Sequence, residues 1–71
     1  MVGIISIQFE GKNLIILKNG QRKVIDLKIA SYKLLEASDA ERQFYQISPS
    51  GYGVYWPLID EDLSIEKLLN L

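Results

Sequence analysis

Two glycine turns, Gly11-Lys12 and Asn19-Gly20, bracket the aliphatic run "NLIILK" (Asn13 to Lys18), and both must agree with one alternation of its side chains. Asn-Gly is a strong hairpin signal, because a two-residue type I′ turn needs positive φ at both central positions and this pair adopts it at least cost. A turn there pairs Lys18 with Gln21, hence Ile16 with Lys23 and Leu14 with Ile25. A turn at Gly11-Lys12 pairs Phe9 with Leu14 and Ile7 with Ile16. The registers agree. They place Ile5, Ile7, Phe9, Leu14, Ile16 and Ile25 on one face of a meander built from "IISIQF", "NLIILK" and "RKVIDL". The opposite face carries Ser6, Gln8 and Arg22, but also an apolar strip of Ile15, Leu17 and Val24. Coverage by a local helix or loop is one account of that strip. A dimer or partner surface is the other, since contiguous exposed apolar area marks interfaces.

Beyond Leu27 the period becomes helical, with Ala30, Leu34 and Ala37 at i, i+4 and i+7, which predicts a short helix. "SDAE" (Ser38 to Glu41) has the spacing of a capping box and opens another helical turn. "FYQIS" and "YGVYW" then read as strands around "SPSG", where Pro49 suits the second position of a type I turn and Gly51 the fourth. Ile65, Leu68 and Leu69 lie on one side of a terminal helix, with Ser64 as its N-cap and Asp60, Glu61 and Asp62 on its approach. The expected fold is therefore α+β: a small antiparallel sheet of about five strands, in two hairpins, with short helices after the third strand and at the C-terminus.

At 71 residues, 48% hydrophobic and 24% charged, the sequence describes one globular domain over residues 1–71, too apolar for disorder. A domain of this size is marginal alone, since buried area barely offsets ordering entropy of about 1.5 kcal/mol per residue, and a partner is one source of help. The chain has no Cys, so disulfides cannot supply that help. "MVGIISIQFEGK" lacks the basic region and long apolar stretch of a signal peptide, and no run reaches the ~18 apolar residues of a membrane span. The cytoplasm is the expected compartment, with no membrane contact.

Charge divides unevenly. Residues 1–42 hold seven Lys/Arg against five Asp/Glu, whereas residues 43–71 hold one Lys against four acids. Dispersed cations outnumbered by acids do not form the concentrated basic face that neutralises phosphates, which argues against nucleic acid as the partner. With neither His nor Cys, serine-type triads, thiol nucleophiles and most zinc sites lose their usual parts, and the single glycines make no phosphate loop. The expectation is a non-enzymatic protein without a cofactor.

Two features remain open on sequence grounds. Asp60, Glu61 and Asp62 could hold a hard cation, although such sites draw ligands from alternating positions; the simpler account places them at the positive end of the last helix. Tyr52, Val54 and Trp56 fall on one side of a strand and complete the core, with Tyr55 on the other; alternatively the aromatics stack on bases, or Trp56 anchors a partner.

The long stretch "LKNGQRKVIDLKIASYKLLEASDAERQFYQIS" followed by "GYGVYWPLIDEDLSIEKLL" resembles the small bacterial family catalogued as domain of unknown function 2442. The resemblance covers about Leu17 to Leu69 and extends to the preceding strands. It is carried by the "NG" hairpin, by "LLEASDAERQFY" with Ala37, Glu41 and Arg42, and above all by the order glycine, Trp-Pro, acidic triplet, short helix. Members commonly have His before Trp-Pro; Tyr55 stands there in this chain, so a role that needs an imidazole does not carry over. The resemblance implies a compact α+β unit; relatives are often encoded beside another small uncharacterised protein, from which a toxin-antitoxin-like pair is the implied expectation.

Taken together, the expected function is a protein-interaction module, antitoxin-like, that binds a small cognate protein or itself as a homodimer. Its expected contact residues are Ile15, Leu17, Val24, Tyr55, Trp56, Asp60, Glu61 and Asp62. The alternatives are a homo-oligomeric structural domain without another ligand, and a metal-dependent enzyme or nucleic-acid-binding accessory protein.

Overall fold

The computed structural model describes residues 5–71, so Ile4, the first residue of the expected opening strand, lies outside the described residues. Three six-residue strands, β1 (Ile5–Glu10), β2 (Asn13–Lys18) and β3 (Gln21–Asp26), form an antiparallel sheet in that order. Phe9 faces Leu14, Ile7 faces Ile16, and Leu14, Ile16 and Lys18 face Ile25, Lys23 and Gln21, as the two turns require. Asn19 and Gly20 have φ of 51° and 82°, the two positive values of a type I′ turn. Gly11 has φ 59° in the other turn.

The helical segment departs from the sequence expectation in one respect. In place of one helix through Ala30 and Leu34 there are two, α1 (Leu27–Ala30) and α2 (Tyr32–Glu36), separated by Ser31 in an extended conformation. One hydroxyl explains the break. Ser31 Oγ accepts the Leu34 amide at 3.2 Å, capping α2, and donates to a Glu61 carboxylate oxygen at 2.6 Å. Helix α3 (Asp39–Gln43) opens with both halves of the expected capping box: Glu41 N–H to Ser38 Oγ at 3.2 Å and Ser38 N–H to Glu41 Oε1 at 2.8 Å.

A second antiparallel sheet follows, ordered β4 (Gln46–Ile47), β5 (Gly53–Trp56) and β6 (Glu61–Ser64), and α4 (Ile65–Leu69) ends the chain. The "SPSG" turn closes through Gly51 N–H to Ser48 O at 2.8 Å, with Gly51 at φ 75°. Strand β6 makes six strands rather than five and places them in two sheets. It corrects the reading of the acidic triplet: only Asp60 lies in a turn, at φ 50°, while Glu61 and Asp62 pair with Trp56 and Tyr55. Ladder pairing, not proximity to a helix dipole, fixes their positions. Ser64 caps α4 as expected, accepting the Lys67 amide at 3.3 Å.

Both sheets and three helices bury one cluster: Ile7, Leu14, Ile16 and Ile25 from the first sheet, Leu27 and Leu34 from α1 and α2, Val54 and Trp56 from β5, and Ile65 and Leu68 from α4. At about 1.5–3 kcal/mol for each large side chain removed from water, this cluster is the principal stabilising term. Arg42 is buried at its edge. Its guanidinium donates to the Leu34, Gly11 and Leu35 carbonyls at 2.9, 3.0 and 3.0 Å and stands 5.5 Å from the centre of the Phe9 ring. One cation thus satisfies carbonyls at the end of α2, where the helix dipole is negative, and in the β1–β2 turn.

Candidate functional site

Strand β5 divides its side chains between two environments. Val54 and Trp56 point into the core, and Gly53 and Tyr55 point outward. Cross-strand pairing extends the outward set into two rows, Gln46–Tyr55–Asp62 and Gly53–Ser64. Over them lies a groove of about 610 Å³, whose lining includes Gln46, Ser48, Tyr52, Tyr55, Asp62 and Ser64. Gly53 leaves its floor bare. A Cβ there would stand 3.3 Å from Leu63 O, so the absent side chain also permits the close approach of β5 to β6.

Ser48 builds the rim. Its Oγ accepts the amides of Tyr52 and Gly53, both at 3.1 Å, and its own N–H donates to Gly53 O at 2.9 Å. These bonds end the strand at Gly53 and turn Tyr52 outward, where it is 72% exposed. Tyr52 therefore does not complete the core as the alternation suggested, because the strand does not extend to it.

Tyr55 is 38% exposed, and its hydroxyl donates to Asp60 Oδ1 at 3.2 Å. Partial desolvation, then this hydrogen bond, then the negative charges of Asp60 and Asp62 hold its phenol above the ordinary value of 10.0. The hydroxyl remains neutral at physiological pH, and the two carboxylates give this face a negative potential. Phenol rings beside carboxylates suit a cationic group, which gains from both the π face and the charge.

The other residues expected at a contact surface separate. Trp56 is fully buried: its indole N–H donates to Arg42 O at 3.0 Å, and Phe9 and Tyr45 pack on it with ring centres at 6.3 and 6.1 Å. It has no surface to offer a partner. Glu61 lies on the inner side of β6, half-buried and bonded to Ser31, whereas Asp62 faces out. Alternation along the strand sends these two carboxylates to opposite faces, and among the described residues no group of three or more His, Cys, Asp or Glu is placed to hold a metal ion. Ile15, Leu17 and Val24 share the back face of the first sheet. Ile15 is only 2% exposed, Leu17 is half-buried, and Val24 is 46% exposed. The site thus unites Tyr55, Asp60 and Asp62 and adds Tyr52, Gln46 and Ser64. Alternation about Gly53 is the signal that identifies the added strand residues once β6 is paired.

Two three-stranded antiparallel sheets and short helices around a shared core define a small α+β protein with a largely apolar groove that carries phenol, amide, hydroxyl and carboxylate groups. The chain belongs to the family described as "Protein of unknown function (DUF2442)", which matches residues 4–71. No curated protein and no solved structure matches it. No helix among the described residues is long and apolar enough to cross a membrane.

Proposed function

We propose that this protein is a non-enzymatic interaction module that docks a small basic protein on the outer face of its second sheet, in an antitoxin-like role. The observation that carries the reading is a groove of about 610 Å³ lined by two exposed tyrosines, Tyr52 and Tyr55, and by Asp62, with Asp60 bonded to the Tyr55 hydroxyl. Tyrosine supplies broad contact area at low entropic cost, and carboxylates around it raise encounter rate and select a positive partner. The groove offers hydroxyl, amide and carboxylate groups, and the chain has no imidazole or thiol to act with them as base or nucleophile. The aliphatic strip of the first sheet has less to give, because Ile15 is already covered.

Co-expression with the product of the adjacent small gene, followed by calorimetric titration of the purified pair, tests the reading. A complex is expected that weakens at least tenfold in the Tyr52→Ala/Tyr55→Ala double variant, since each anchoring aromatic is worth roughly 1 kcal/mol or more. A complex indifferent to that double variant, or no complex at native expression, rejects it.

A further inference from the structure

The outer strand of the second sheet has the features of an acceptor for another strand. In an antiparallel pair, residues that exchange main-chain hydrogen bonds alternate with residues that do not. Ile65 N–H donates to Tyr52 O at 2.8 Å, so by steps of two the bonded pairs are Val54–Leu63 and Trp56–Glu61. The bond from Ser48 N–H to Gly53 O on the other side of β5 imposes the same alternation, because it assigns the Gly53 and Tyr55 main chain to β4. The N–H and C=O of Asp62 and the N–H of Ser64 therefore point away from β5. Strand β6 is outermost in its sheet, and beyond its edge lies a second cavity of about 370 Å³ between the end of α1 and α4. Ile29, Ala30, Leu68 and Leu71 line that cavity, with Ile29 70% and Leu71 57% exposed. Asp62 and Ser64 border both this cavity and the outer groove.

We infer that an extended segment of a basic partner, alternating cationic and apolar residues, joins the second sheet as an added strand along the Asp62–Ser64 edge of β6. The inference rests on the interaction-module reading and specifies how the partner is held. Main-chain bonds give such an addition its affinity, and alternate side chains give it specificity. The partner residue opposite Asp62 directs its side chain to the outer face, toward the Asp62 carboxylate and the Tyr55 ring. Its neighbours direct theirs inward, toward Ile29, Ala30 and Leu68. Four residues of β6 span about 13 Å, enough to read about four partner residues. Charge selects the occupant on the outer side, where Asp62 lines the groove and Asp60 accepts from Tyr55. Lys67 borders the inner cavity and disfavours a cation there, so the partner's cationic residues face out and its apolar ones face in. A second copy of the chain is a poor occupant, because pairing β6 with β6 brings like carboxylates together, and an edge charge discourages that association.

The probe is a blocked six-residue peptide alternating arginine and valine, with a glutamate–valine peptide as control, titrated into the protein and followed by amide NMR. The basic peptide is expected to bind and to slow hydrogen exchange of the Asp62 and Ser64 amides at least tenfold. Asp62→Ala removes the charge but keeps the N–H; Asp62→Pro removes both, at an edge position whose N–H serves no bond within the sheet. Binding should fall severalfold in the first and roughly fivefold to tenfold further in the second, the worth of a main-chain hydrogen bond. Equal binding by the two variants overturns strand addition, yet leaves the docking face standing if Tyr52→Ala/Tyr55→Ala still weakens the natural complex. Should Asp62→Pro fail to fold, peptides N-methylated at every second residue, in each of the two registers, make the same comparison on the unaltered protein. One register must lose binding, and retention by both overturns the inference. Equal binding of the glutamate peptide, or protection that grows with protein concentration without peptide, also overturns it.

Discussion

The first sheet has three strands of six residues, paired along their full lengths, whereas the strands of the second have two, four and four. Aliphatic residues dominate the inner face of the first, and its connections are two-residue turns. The second sheet inserts one indole into the same core and exposes phenols, an amide, hydroxyls and carboxylates on its outer side. The two sheets thus share one core but differ on their outer sides, with Trp56 facing in and its neighbour Tyr55 facing out beside the proposed docking groove. Substitutions that act on one sheet and spare the other test this division.

Trp56→Ala should have the largest effect, lowering unfolding free energy by about 3–5 kcal/mol in urea titration, as expected for a large aromatic removed from a packed interior. Arg42→Met comes next. It leaves the carbonyls of Leu34, Leu35 and Gly11 without their donor, a loss of about 2–4 kcal/mol by the same measurement, of which Arg42→Lys should recover less than half because one ammonium cannot reach three segments. Gly20→Ala forces a side chain into φ 82° and should cost about 1 kcal/mol without altering partner binding. Tyr52→Ala/Tyr55→Ala should do the reverse, changing stability by about 0.5 kcal/mol or less while weakening the complex. Loss of binding in Gly20→Ala would erase the distinction between the sheets.

The smallest effect is electrostatic. A phenol held above 10.0 in the folded chain keeps its proton where the unfolded chain releases it. Its contribution to stability is complete below pH 10 and is lost as pH rises through the folded value. Asp60→Asn retains a residue tolerant of positive φ and removes one charge, so it should lower the Tyr55 titration midpoint, read from the tyrosine ring resonances, and narrow that alkaline window. An unchanged midpoint would remove Asp60 from the potential of the groove.

Much of the first sheet was legible because two turns constrain one strand, and an error of one residue at either would invert the burial of Leu14 and Ile16. The Ser38–Glu41 box, the Ser64 cap and the Pro49–Gly51 turn were readable for the same kind of reason, since side chains a few residues apart satisfy local amides. Strand β6 was not. "EDLS" has poor strand propensity, and pairing with β5 after the positive-φ turn at Asp60 decides its conformation. The break at Ser31 depends on Glu61, thirty positions away. The site is legible only in part: Tyr55, Asp60 and Asp62 converge, and alternation correctly sends Val54 and Trp56 into the core, but it sends Tyr52 there too, and full burial removes Trp56 from the expected contact residues. The departure of Tyr52 arises at the strand end, where Ser48 accepts its amide and turns the ring to water.

Arg42 reaches the first hairpin through Gly11 and receives the indole of the second sheet through its own carbonyl. Loosening either half releases the same clasp, so the two sheets are expected to melt together. The outer groove should therefore vanish in a single transition with the scaffold, and a partner of the proposed kind, seated on the acidic edge, should raise the melting temperature of strands it never touches.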